Sequence, residues 1–415
     1  MRVLNGRRAE AFVRKLENRG AASLGKVERQ VRRIVEDVRK DGDRALRRYA
    51  EKWDGLQPKQ AFRVESTELE QAWNATSEDF KQALRFAATS IRQYCEWQKP
   101  EEWRKVALPG VHLGQILRPV ESAGCYVPGG RYPLPSTLLM TVIPAQVAGV
   151  PRICVVSPRP AQETLAAAAF LGVNEFYRIG GAQAIAALAY GAKSVPRVDK
   201  IVGPGNLFVT AAKRLVAFDC SIDFLAGPTE VVIVSDHGEP RFIAADLVAQ
   251  AEHDLEASAV FITTSKELAA AVAQEIETLA AQNKTAKASL ARNGAIVMAA
   301  SREQAMEFAN RIAPEHIRVS EEDLTKVRNA GSVFIGDYSP QAAGDYAAGP
   351  NHVLPTGGSA RFRGGLAVQD FLKSISVQHL SRKGLQQIAR AVVTLAEAEG
   401  LKAHAESIRV RCDCA

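Results

Sequence analysis

Apolar residues in the first hundred positions recur every three or four residues. One stretch with this spacing, SEDFKQALRFAATSIRQYCEWQKP, stops before Pro100, where a helix would end. This period places the apolar side chains on one face of a helix and leaves the other positions to charged residues. We therefore expect mainly helices from residue 1 to about residue 105. The spacing is clearest in SLGKVERQVRRIVEDVRKDGDRALRRYAEKWDG, at Val27, Val31, Ile34, Val35 and Val38.

The pattern changes near residue 114 to short β-branched runs that alternate with Ala-rich helical segments. One set of runs comprises RICVVS, ETLAAAAFLG, FYRIGG, AQAIAALAYG, KIVGPG, NLFVTAAKRLV and EVVIVSD. Another set comprises AVFITT, KELAAAVAQEIETLAAQ, AIVMAAS, REQAMEFANRIA and SVFIGD. This alternation is typical of parallel βαβ units. The sequence therefore predicts an α/β protein with two Rossmann-like lobes.

The chain is longer than one hydrophobic core usually serves, because it has 415 residues, of which 47% are hydrophobic. We expect a discontinuous first lobe from 22–125 and 230–377, and a second lobe from 126–229. A small helical arm is expected at 1–21 and a helical tail at 378–415. Such detached helical ends would favour packing on another subunit.

The pattern of the tail, SRKGLQQIARAVVTLAEAEGLKAHAESIRV, predicts one helix interrupted at Gly400. Beyond it lies the one close pair of cysteines, Cys412 and Cys414. No second pair or neighbouring histidine completes a zinc or redox site there, so a simple terminal tail is the favoured interpretation.

Composition argues against several classes of protein. No run approaches 18 apolar residues and the first twenty residues lack the apolar core of a signal peptide, so we expect a soluble, cytoplasmic protein without membrane contact. The net charge of +7 is spread among 46 acidic residues, and no basic block interleaves with aromatic residues, which argues against nucleic-acid binding. Six scattered cysteines, several inside apolar runs, suit reduced thiols.

Three of the seven histidines lie among acidic or amide side chains. Gln250 and His253 in AADLVAQAEHD are spaced i and i+3, so a helix would present both to one ion. Asp345 and His404 offer the remaining ligands of a four-point nitrogen and oxygen sphere, which suits zinc or another borderline ion such as manganese. The competing interpretation is that a helix-borne histidine is only solvated.

Two further segments carry polar groups where elements meet. Glu315 and His316 precede the strand-like IRVS, and such a pair could divide proton transfer, one group taking an alcohol proton and the other activating water. The loop YSPQAAGDYAAGPNHVLPTGG carries Asp345, Asn351 and His352. Loops rich in Gly and Pro often only turn the chain, but this polar trio favours substrate contact.

Three glycine-rich segments, CYVPGGRYPLPST, RIGGAQA and VGPGN, lie between a strand-like run and a helix. Glycines at this place let backbone N–H groups and a helix N-terminus approach phosphate oxygens. None of the three is G-x-G-x-x-G, so the standard Rossmann fingerprint is absent. Nucleotide binding is therefore a hypothesis on spacing alone.

Several long stretches follow one another in a specific order: GCYVPGGRYPLPSTLLM, GGAQAIAALAYGAKSVPRVDKIVGPGNLFVTAAKR, DFLAGPTEVVIVSD, ADLVAQAEHD, APEHIRV, AGSVFIGDYSPQAAGDYAAGPNHVLPTGG and EGLKAH. In these stretches, and so over nearly its whole length, the chain resembles the histidinol dehydrogenase family. The resemblance implies a zinc-dependent, NAD-linked homodimer that oxidises L-histidinol through L-histidinal to L-histidine, the last two steps of histidine biosynthesis.

The resemblance also implies roles for individual residues. Glu315 and His316 match the catalytic acid/base pair. The zinc ligands would be Gln250, His253, Asp345 and His404. Contacts to the cofactor would come from Tyr126, Gln183 and Asn206. The tail residues Glu399 and His404 would complete the partner's site. Substrate contacts would come from Thr229, Gln250, His253, His316, Asp345, His352, Glu399 and His404.

Thr229 in AGPTEV stands where many members of the family have serine. Both residues carry a hydroxyl that can bind substrate, but the methyl group of threonine narrows the pocket. Cys125 lies beside Tyr126, which raises a thiohemiacetal route; no basic partner adjoins it in sequence, so we do not expect this route.

Two alternative functions remain open at this point. One is an NAD-dependent dehydrogenase on the same scaffold that acts on another small polar alcohol, such as a sulfonated diol. Glu399 and His352 favour the amino alcohol, because a carboxylate attracts the substrate ammonium and repels a sulfonate. The other is a non-catalytic nucleotide-binding or RNA-associated protein, which would show salt-dependent RNA binding and no NADH production.

Overall fold

The β-branched runs form strands and the Ala-rich runs form helices, as their spacing predicts. The structure is a computed structural model that describes residues 1–19, 25–129 and 133–412. The strands are β1 (Arg2–Leu4), β2 (Arg63–Val64), β3 (Trp103–Leu108), β4 (Val111–Pro119), β5 (Ser122–Tyr126), β6 (Arg152–Val156), β7 (Glu175–Tyr177), β8 (Lys200–Val202), β9 (Ser221–Ile222), β10 (Glu230–Val234), β11 (Ser258–Thr263), β12 (Ala295–Met298), β13 (His316–Val319), β14 (Ser332–Ile335) and β15 (Leu372–Leu380).

Most of the connections between strands are helical. The α-helices are α1 (Gly6–Glu17), α2 (Gly25–Asp41), α3 (Asp43–Tyr49), α4 (Ser66–Asn74), α5 (Glu78–Gln98), α6 (Pro135–Ala148), α7 (Gln162–Phe170), α8 (Gly181–Tyr190), α9 (Leu207–Val216), α10 (Pro240–Ala251), α11 (Lys266–Leu279), α12 (Lys284–Asn293), α13 (Arg302–Ile312), α14 (Gln341–Tyr346), α15 (Arg382–Ala398) and α16 (Lys402–Cys412). Shorter π- and 3₁₀-helical turns occur at Ala50–Asp54, Glu321–Lys326, Ser359–Arg361 and Val368–Phe371. No helix in these ranges is both long and apolar enough to cross a membrane.

The larger of two structural units comprises Met1–Gln98 and Glu121–Phe371, and it contains two six-stranded sheets. Sheet I has the order β2-β7-β6-β5-β8-β9, in which only β2 is antiparallel to its neighbour. Sheet II has the order β1-β12-β11-β10-β13-β14, and all its pairs are parallel. Within each sheet five successive strands follow the doubly wound order 3-2-1-4-5. The predicted α/β fold with two Rossmann-like sheets is confirmed.

The amphipathic pattern of α2 is explained by packing on sheet I. In α2 the side chains of Val31, Ile34, Val35 and Val38 are buried in one core with residues of α8 and α9. Every residue of β5 is buried, as is normal for a strand with helices on both faces of its sheet. The same burial explains why such strands are continuous apolar runs in the sequence.

The chain begins with a strand that the sequence did not predict. β1 pairs in parallel with β12 at the edge of sheet II, and α1 then packs against α13. Three residues are too few to show a period of two, so only the helix of this arm could be recognised.

The smaller unit comprises Lys99–Val120 and Leu372–Ala415. It contains an antiparallel sheet of order β15-β4-β3 and the two helices α15 and α16. The predicted interruption at Gly400 is confirmed, and this glycine has a left-handed φ of 77°. The sheet itself was not predicted, because every residue of β3 is exposed and the strand lacks apolar alternation.

Candidate active site

The candidate catalytic pair, Glu315 and His316, lies at the amino end of β13, next to the amino end of β10 in sheet II. Glu230 begins β10 and His316 begins β13, and the two strands pair in parallel. The backbone N–H of Glu230 donates a hydrogen bond of 2.9 Å to Oε2 of Glu315, and Nδ1 of His316 lies 3.1 Å from the carbonyl oxygen of Glu230. One residue of β10 therefore holds both members of the pair through its backbone.

The hydrogen bond to Glu230 determines the state of the His316 ring. A carbonyl oxygen only accepts, so Nδ1 must carry the proton, and in the neutral ring Nε2 carries the lone pair. Nε2 is buried and has no hydrogen-bond partner among the described residues, although Oδ1 of Asp345 is 3.4 Å away. This nitrogen is therefore free to accept a proton from a substrate.

Burial and mutual attraction shift the pKa values of both Glu315 and His316. Burial raises the pKa of Glu315, and the neighbouring His316 and the hydrogen bonds from Thr229 and Glu230 only partly offset this effect. Burial alone would lower the pKa of His316, but the carboxylates of Glu315 and Asp345 raise it above its ordinary value. Perturbed, coupled groups of this kind are characteristic of proton-transfer sites.

Gln250 presents an unsatisfied oxygen close to this pair. Its Nε2 donates a hydrogen bond of 2.5 Å to Oγ1 of Thr229, and the Thr229 hydroxyl in turn donates to Oε2 of Glu315. With the amide nitrogen held in this way, Oε1 of Gln250 is buried without a hydrogen-bond partner among the described residues. A buried acceptor of this kind is costly unless it is satisfied, and a cation would satisfy it.

His253 does not share a helix with Gln250, which corrects the prediction of one common helical face. α10 ends at Ala251, and the carboxylate of Asp254 begins a new turn by accepting the backbone N–H of Glu256. His253 therefore lies in an exposed segment beyond the helix. A positive charge on its ring would lower the pKa of Asp345.

Asp345 and His352 come together after β14. Nδ1 of His352 lies 2.7 Å from the carbonyl oxygen of Asp345, and its Nε2 lies 3.1 Å from Oγ1 of Thr137 in α6. Burial alone would raise the pKa of Asp345, but the surrounding His316, His352 and His253 lower it below its ordinary value. Burial lowers the pKa of His352. The result is an ionised carboxylate next to imidazoles, which suits a borderline cation.

The two remaining candidates, Glu399 and His404, belong to the smaller unit. They flank the turn at Gly400, and both are exposed. Within the described ranges no group of three or more His, Cys, Asp or Glu side chains is assembled for a metal. Of the predicted ligand set, Gln250 is buried and Asp345 half-buried, whereas His253 and His404 are exposed.

The candidate dinucleotide site lies at the carboxyl ends of the strands in sheet I, whereas the catalytic pair lies at the amino end of a strand in sheet II. The hydroxyl of Tyr126, at the end of β5, accepts the backbone N–H of Gly181, where α8 begins. Gln183 is buried in the first turn of α8, and Asn206 caps α9 by accepting from the backbone N–H groups of residues 208 and 209. The structure therefore places all three predicted cofactor residues on the loops and helix starts around β5 and β8.

Close backbone approach explains the glycines at this edge. A Cβ on Gly203 would lie 2.1 Å from the carbonyl oxygen of Tyr126, and Gly203 has a φ of 113°. The crevice at the carboxyl ends of β5 and β8 is also the point where strand order reverses, the usual place for a ligand in such sheets. The residues present therefore fit a dinucleotide. Part of the segment CYVPGGRYPLPST, residues 130–132, lies outside the described residues.

Comparison with known proteins identifies the family of this chain. The family model described as histidinol dehydrogenase matches residues 17–412. The chain belongs to the histidinol dehydrogenase family. It is 47% identical over 392 residues to the histidinol dehydrogenase of Methanothermobacter thermautotrophicus, covering 91% of this chain and 92% of that protein. The protein of the same name from Methanosarcina mazei is 46% identical, with 97% and 96% covered.

A solved structure is also similar over the whole chain. The crystal structure of histidinol dehydrogenase from Elizabethkingia anophelis has a TM-score of 0.94 and 34% sequence identity, and the match covers 100% of this chain and 98% of that one. The fold described above is therefore that of the histidinol dehydrogenase family.

Sequence reasoning missed two residues that hold the site together. Asp54 is a buried carboxylate that accepts hydrogen bonds of 3.0 Å from the backbone of Gly180 and from Nε2 of Gln183, and burial raises its pKa. Glu230 gives no signal in the sequence beyond its place at the start of the strand-like run EVVIVSD. Neither residue stands in a recognisable pattern, since their partners are about 85 to 130 residues away in the chain.

Cys125 cannot readily serve as a nucleophile in this member of the histidinol dehydrogenase family. The residue is fully buried in β5, and burial raises the pKa of its thiol to about 12. A catalytic cysteine needs a stabilised thiolate, and this environment disfavours one.

Proposed function

We propose that this protein oxidises L-histidinol through L-histidinal to L-histidine with NAD as the oxidant, and so performs the last two steps of histidine biosynthesis. The observation that carries the proposal is the buried Glu315 and His316 pair, held by Glu230 and placed beside the unsatisfied oxygen of Gln250. Membership of the histidinol dehydrogenase family supports the choice of substrate.

We propose Zn²⁺ as the resident metal. Its ligands would be Gln250, His253, Asp345 and His404, of which Gln250 offers a buried oxygen without a partner and Asp345 an ionised carboxylate. A bound zinc ion would act as a Lewis acid that ligates the imidazole and amine nitrogens of the substrate. The Thr229 hydroxyl supports this site because it fixes the side-chain amide of Gln250.

In the first oxidation His316 removes the hydroxyl proton of histidinol. Nε2 of His316 accepts this proton, and the resulting cation is stabilised by Asp345 and Glu315, the two carboxylates that already raise its pKa. The carbon–hydrogen electron pair leaves as a hydride, for which NAD is the acceptor. The product is the aldehyde, L-histidinal.

In the second oxidation Glu315 activates a water molecule. Both hydrogen bonds described for this carboxylate end on Oε2, so Oε1 is the oxygen that accepts the proton of the water. The water oxygen bonds to the aldehyde carbon, and the hydrate that forms gives up a second hydride, for which a second NAD is the acceptor, and becomes the carboxylic acid. A raised pKa makes Glu315 a stronger base than an ordinary glutamate.

His352 and Glu399 would hold the substrate. His352 is already oriented by the carbonyl oxygen of Asp345 and by Thr137, which keeps its ring beside the proposed metal ligand. Glu399 is exposed and would attract the substrate ammonium group. Tyr126, Gln183 and Asn206 would contact NAD at the edge of sheet I, with Gln183 held by Asp54.

We also propose a homodimer in which Glu399 and His404 complete the partner's site. Large apolar side chains are exposed on the smaller unit, among them Val106, Ile375 and Leu395, and burial between subunits would remove them from water.

A mixture of Glu315→Gln and His404→Ala chains tests whether the site is shared between subunits. Heterodimers would contain one intact site, so activity should return to about a quarter of the wild-type value in a random mixture. No recovery would contradict the shared site.

The cysteines support a cytoplasmic location. Cys95, Cys125, Cys154 and Cys220 are free and buried. Unpaired, buried thiols suit a reducing compartment.

The decisive experiment follows NADH release when L-histidinol is added to the purified protein. It is repeated after chelation and again after zinc is restored, and a sulfonated diol is the control substrate. The proposal requires two NADH for each histidinol and a zinc-dependent signal. Activity on the sulfonated diol alone would favour the alternative dehydrogenase, which the named relatives do not favour.

A further inference from the structure

The guanidinium of Arg19, just beyond α1, forms a two-pronged ion pair with the buried carboxylate of Glu230. Its Nε donates to Oε1 of Glu230, and its Nη2 donates to Oε2 at 2.5 Å. The side chains are 15% and 5% exposed, so this pair is largely shielded from water. Parallel N–H···O bonds of this kind fix the geometry of both partners.

The same guanidinium also holds the segment that leads into the catalytic pair. Nη1 of Arg19 donates a hydrogen bond of 2.7 Å to the carbonyl oxygen of Ile312, and Nη2 lies 3.4 Å from that of Ala313. Ala313 has a φ of 49°, a left-handed conformation that an L-residue adopts only under constraint. This constrained residue is two positions before Glu315.

Arg19 thus joins the two backbone segments between which the catalytic pair is held. On one side is Glu230, whose N–H and carbonyl groups bind Glu315 and His316. On the other side is the turn at Ile312 and Ala313, from which the pair projects. We propose that Arg19 is a positioning residue for Glu315 and His316, acting through Glu230 and this turn. The expected effects on kcat rest on the proposed function, whereas the role of Arg19 in holding the backbone does not.

Attachment of the N-terminal arm does not depend on Arg19. Arg311 in α13 pairs with Glu10 and Glu17 of α1, and β1 is hydrogen-bonded to β12. Loss of Arg19 would therefore leave the arm in place while leaving the Glu230 carboxylate buried without its cation. Arg311→Ala is the matched control, since it removes an arginine that binds the arm but does not touch Glu230.

The test compares Arg19→Ala, Arg19→Lys and Arg311→Ala in the zinc-loaded enzyme. We expect Arg19→Ala to lower kcat for both oxidations by about tenfold or more, as is usual when a residue supporting a reactive group is removed. KM for NAD and zinc content should not change. Arg19→Lys should recover little of the lost kcat, because a lysine amine cannot form the second hydrogen bond to Glu230. Added guanidinium should partly restore the kcat of Arg19→Ala. Arg311→Ala should stay within about twofold of the wild type.

Hydrogen–deuterium exchange gives a readout that does not depend on activity. In Arg19→Ala, exchange should accelerate in peptides covering 228–234 and 311–318, and in Arg311→Ala it should not. The double variant Arg19→Ala/Glu230→Gln removes the unpaired charge, so it keeps the test valid if the single variant folds poorly. Equal kinetic losses in the Arg19 and Arg311 variants, or unchanged exchange at these peptides, would overturn the proposal. If the wild type does not oxidise histidinol, the proposed function fails and the exchange data still decide the role of Arg19.

Discussion

The hydroxyl of Thr229 donates a hydrogen bond to Oε2 of Glu315 while it accepts one from Nε2 of Gln250. A single side chain thus connects a proposed metal ligand with a proposed catalytic base. Its methyl group is not needed for either bond, so a serine at this position could form both.

Thr229→Val removes this connection and keeps the shape of the side chain. Both Glu315 and Gln250 would lose a partner in a buried site, an effect of about 1–3 kcal/mol. We expect kcat for the oxidation of histidinal to fall by about tenfold or more, and Thr229→Ser to retain wild-type activity. Equal activities of the valine and serine variants in a steady-state NADH assay would show that the bond has no catalytic role.

Glu315→Gln and His316→Gln should separate the two oxidations. The glutamine at 315 cannot accept a proton from water, so the oxidation of histidinal should slow by about 10²–10⁴-fold and that of histidinol by less. His316→Gln should mainly slow the oxidation of histidinol. Single-turnover NADH formation from each substrate measures the two steps. Small and equal losses in both variants would remove the proposed division of labour.

The pH dependence should differ between the two steps, although both rates should rise with pH. Each group acts as a base and is active only when deprotonated. Burial raises the pKa of Glu315, so histidinal oxidation should rise with a midpoint well above the ordinary glutamate value of about 4.3. The nearby carboxylates raise the pKa of His316, so histidinol oxidation should rise at still higher pH. Rates that do not change between about pH 5 and 8 would contradict this assignment.

Gln250→Leu should weaken metal binding. The substitution removes the buried Oε1 without adding a charge, and we expect zinc affinity to fall by about 10–100-fold. Competition with a colorimetric chelator measures the change directly. Gln304→Leu is a suitable control, since its side chain caps a turn at Ala300 outside the site. Equal zinc affinities of the two variants would exclude Gln250 as a ligand.

Cys125→Ser should leave both oxidations within about twofold of the wild type, the usual range for a substitution away from the chemistry. The thiol is fully buried, and its pKa of about 12 leaves no useful thiolate at neutral pH. Steady-state assays with each substrate are sufficient. A loss greater than tenfold in a normally folded variant would bring back the thiohemiacetal route.

The sequence was most informative where local periodicity and long-range structure agree. The βαβ alternation predicted both parallel sheets, because strands covered on two faces must be apolar throughout. It was misleading at His253, where the spacing of a helix continued beyond the end of α10 at Ala251. Helix ends depend on local capping groups, which a hydrophobic pattern does not show.

The supporting residues of the site were hidden for a different reason. Asp54, Glu230 and Arg19 act on partners about 85 to 290 positions away, and no spacing rule covers such distances. The residues of the proposed chemistry were recognisable from a family resemblance, whereas the residues that hold them became visible only in the folded chain.

The left-handed conformation of Ala313 has an implication for the evolution of this enzyme. Glycine at this position would relieve about 1–2 kcal/mol of backbone strain against about 0.4–1 kcal/mol of added freedom in the unfolded chain. The methyl group of Ala313 is fully buried and itself contributes about 0.8 kcal/mol, so the net effect of Ala313→Gly on stability is small. The same change would give the segment before Glu315 more ways to move, so selection for turnover, and not for stability, would retain this one methyl group.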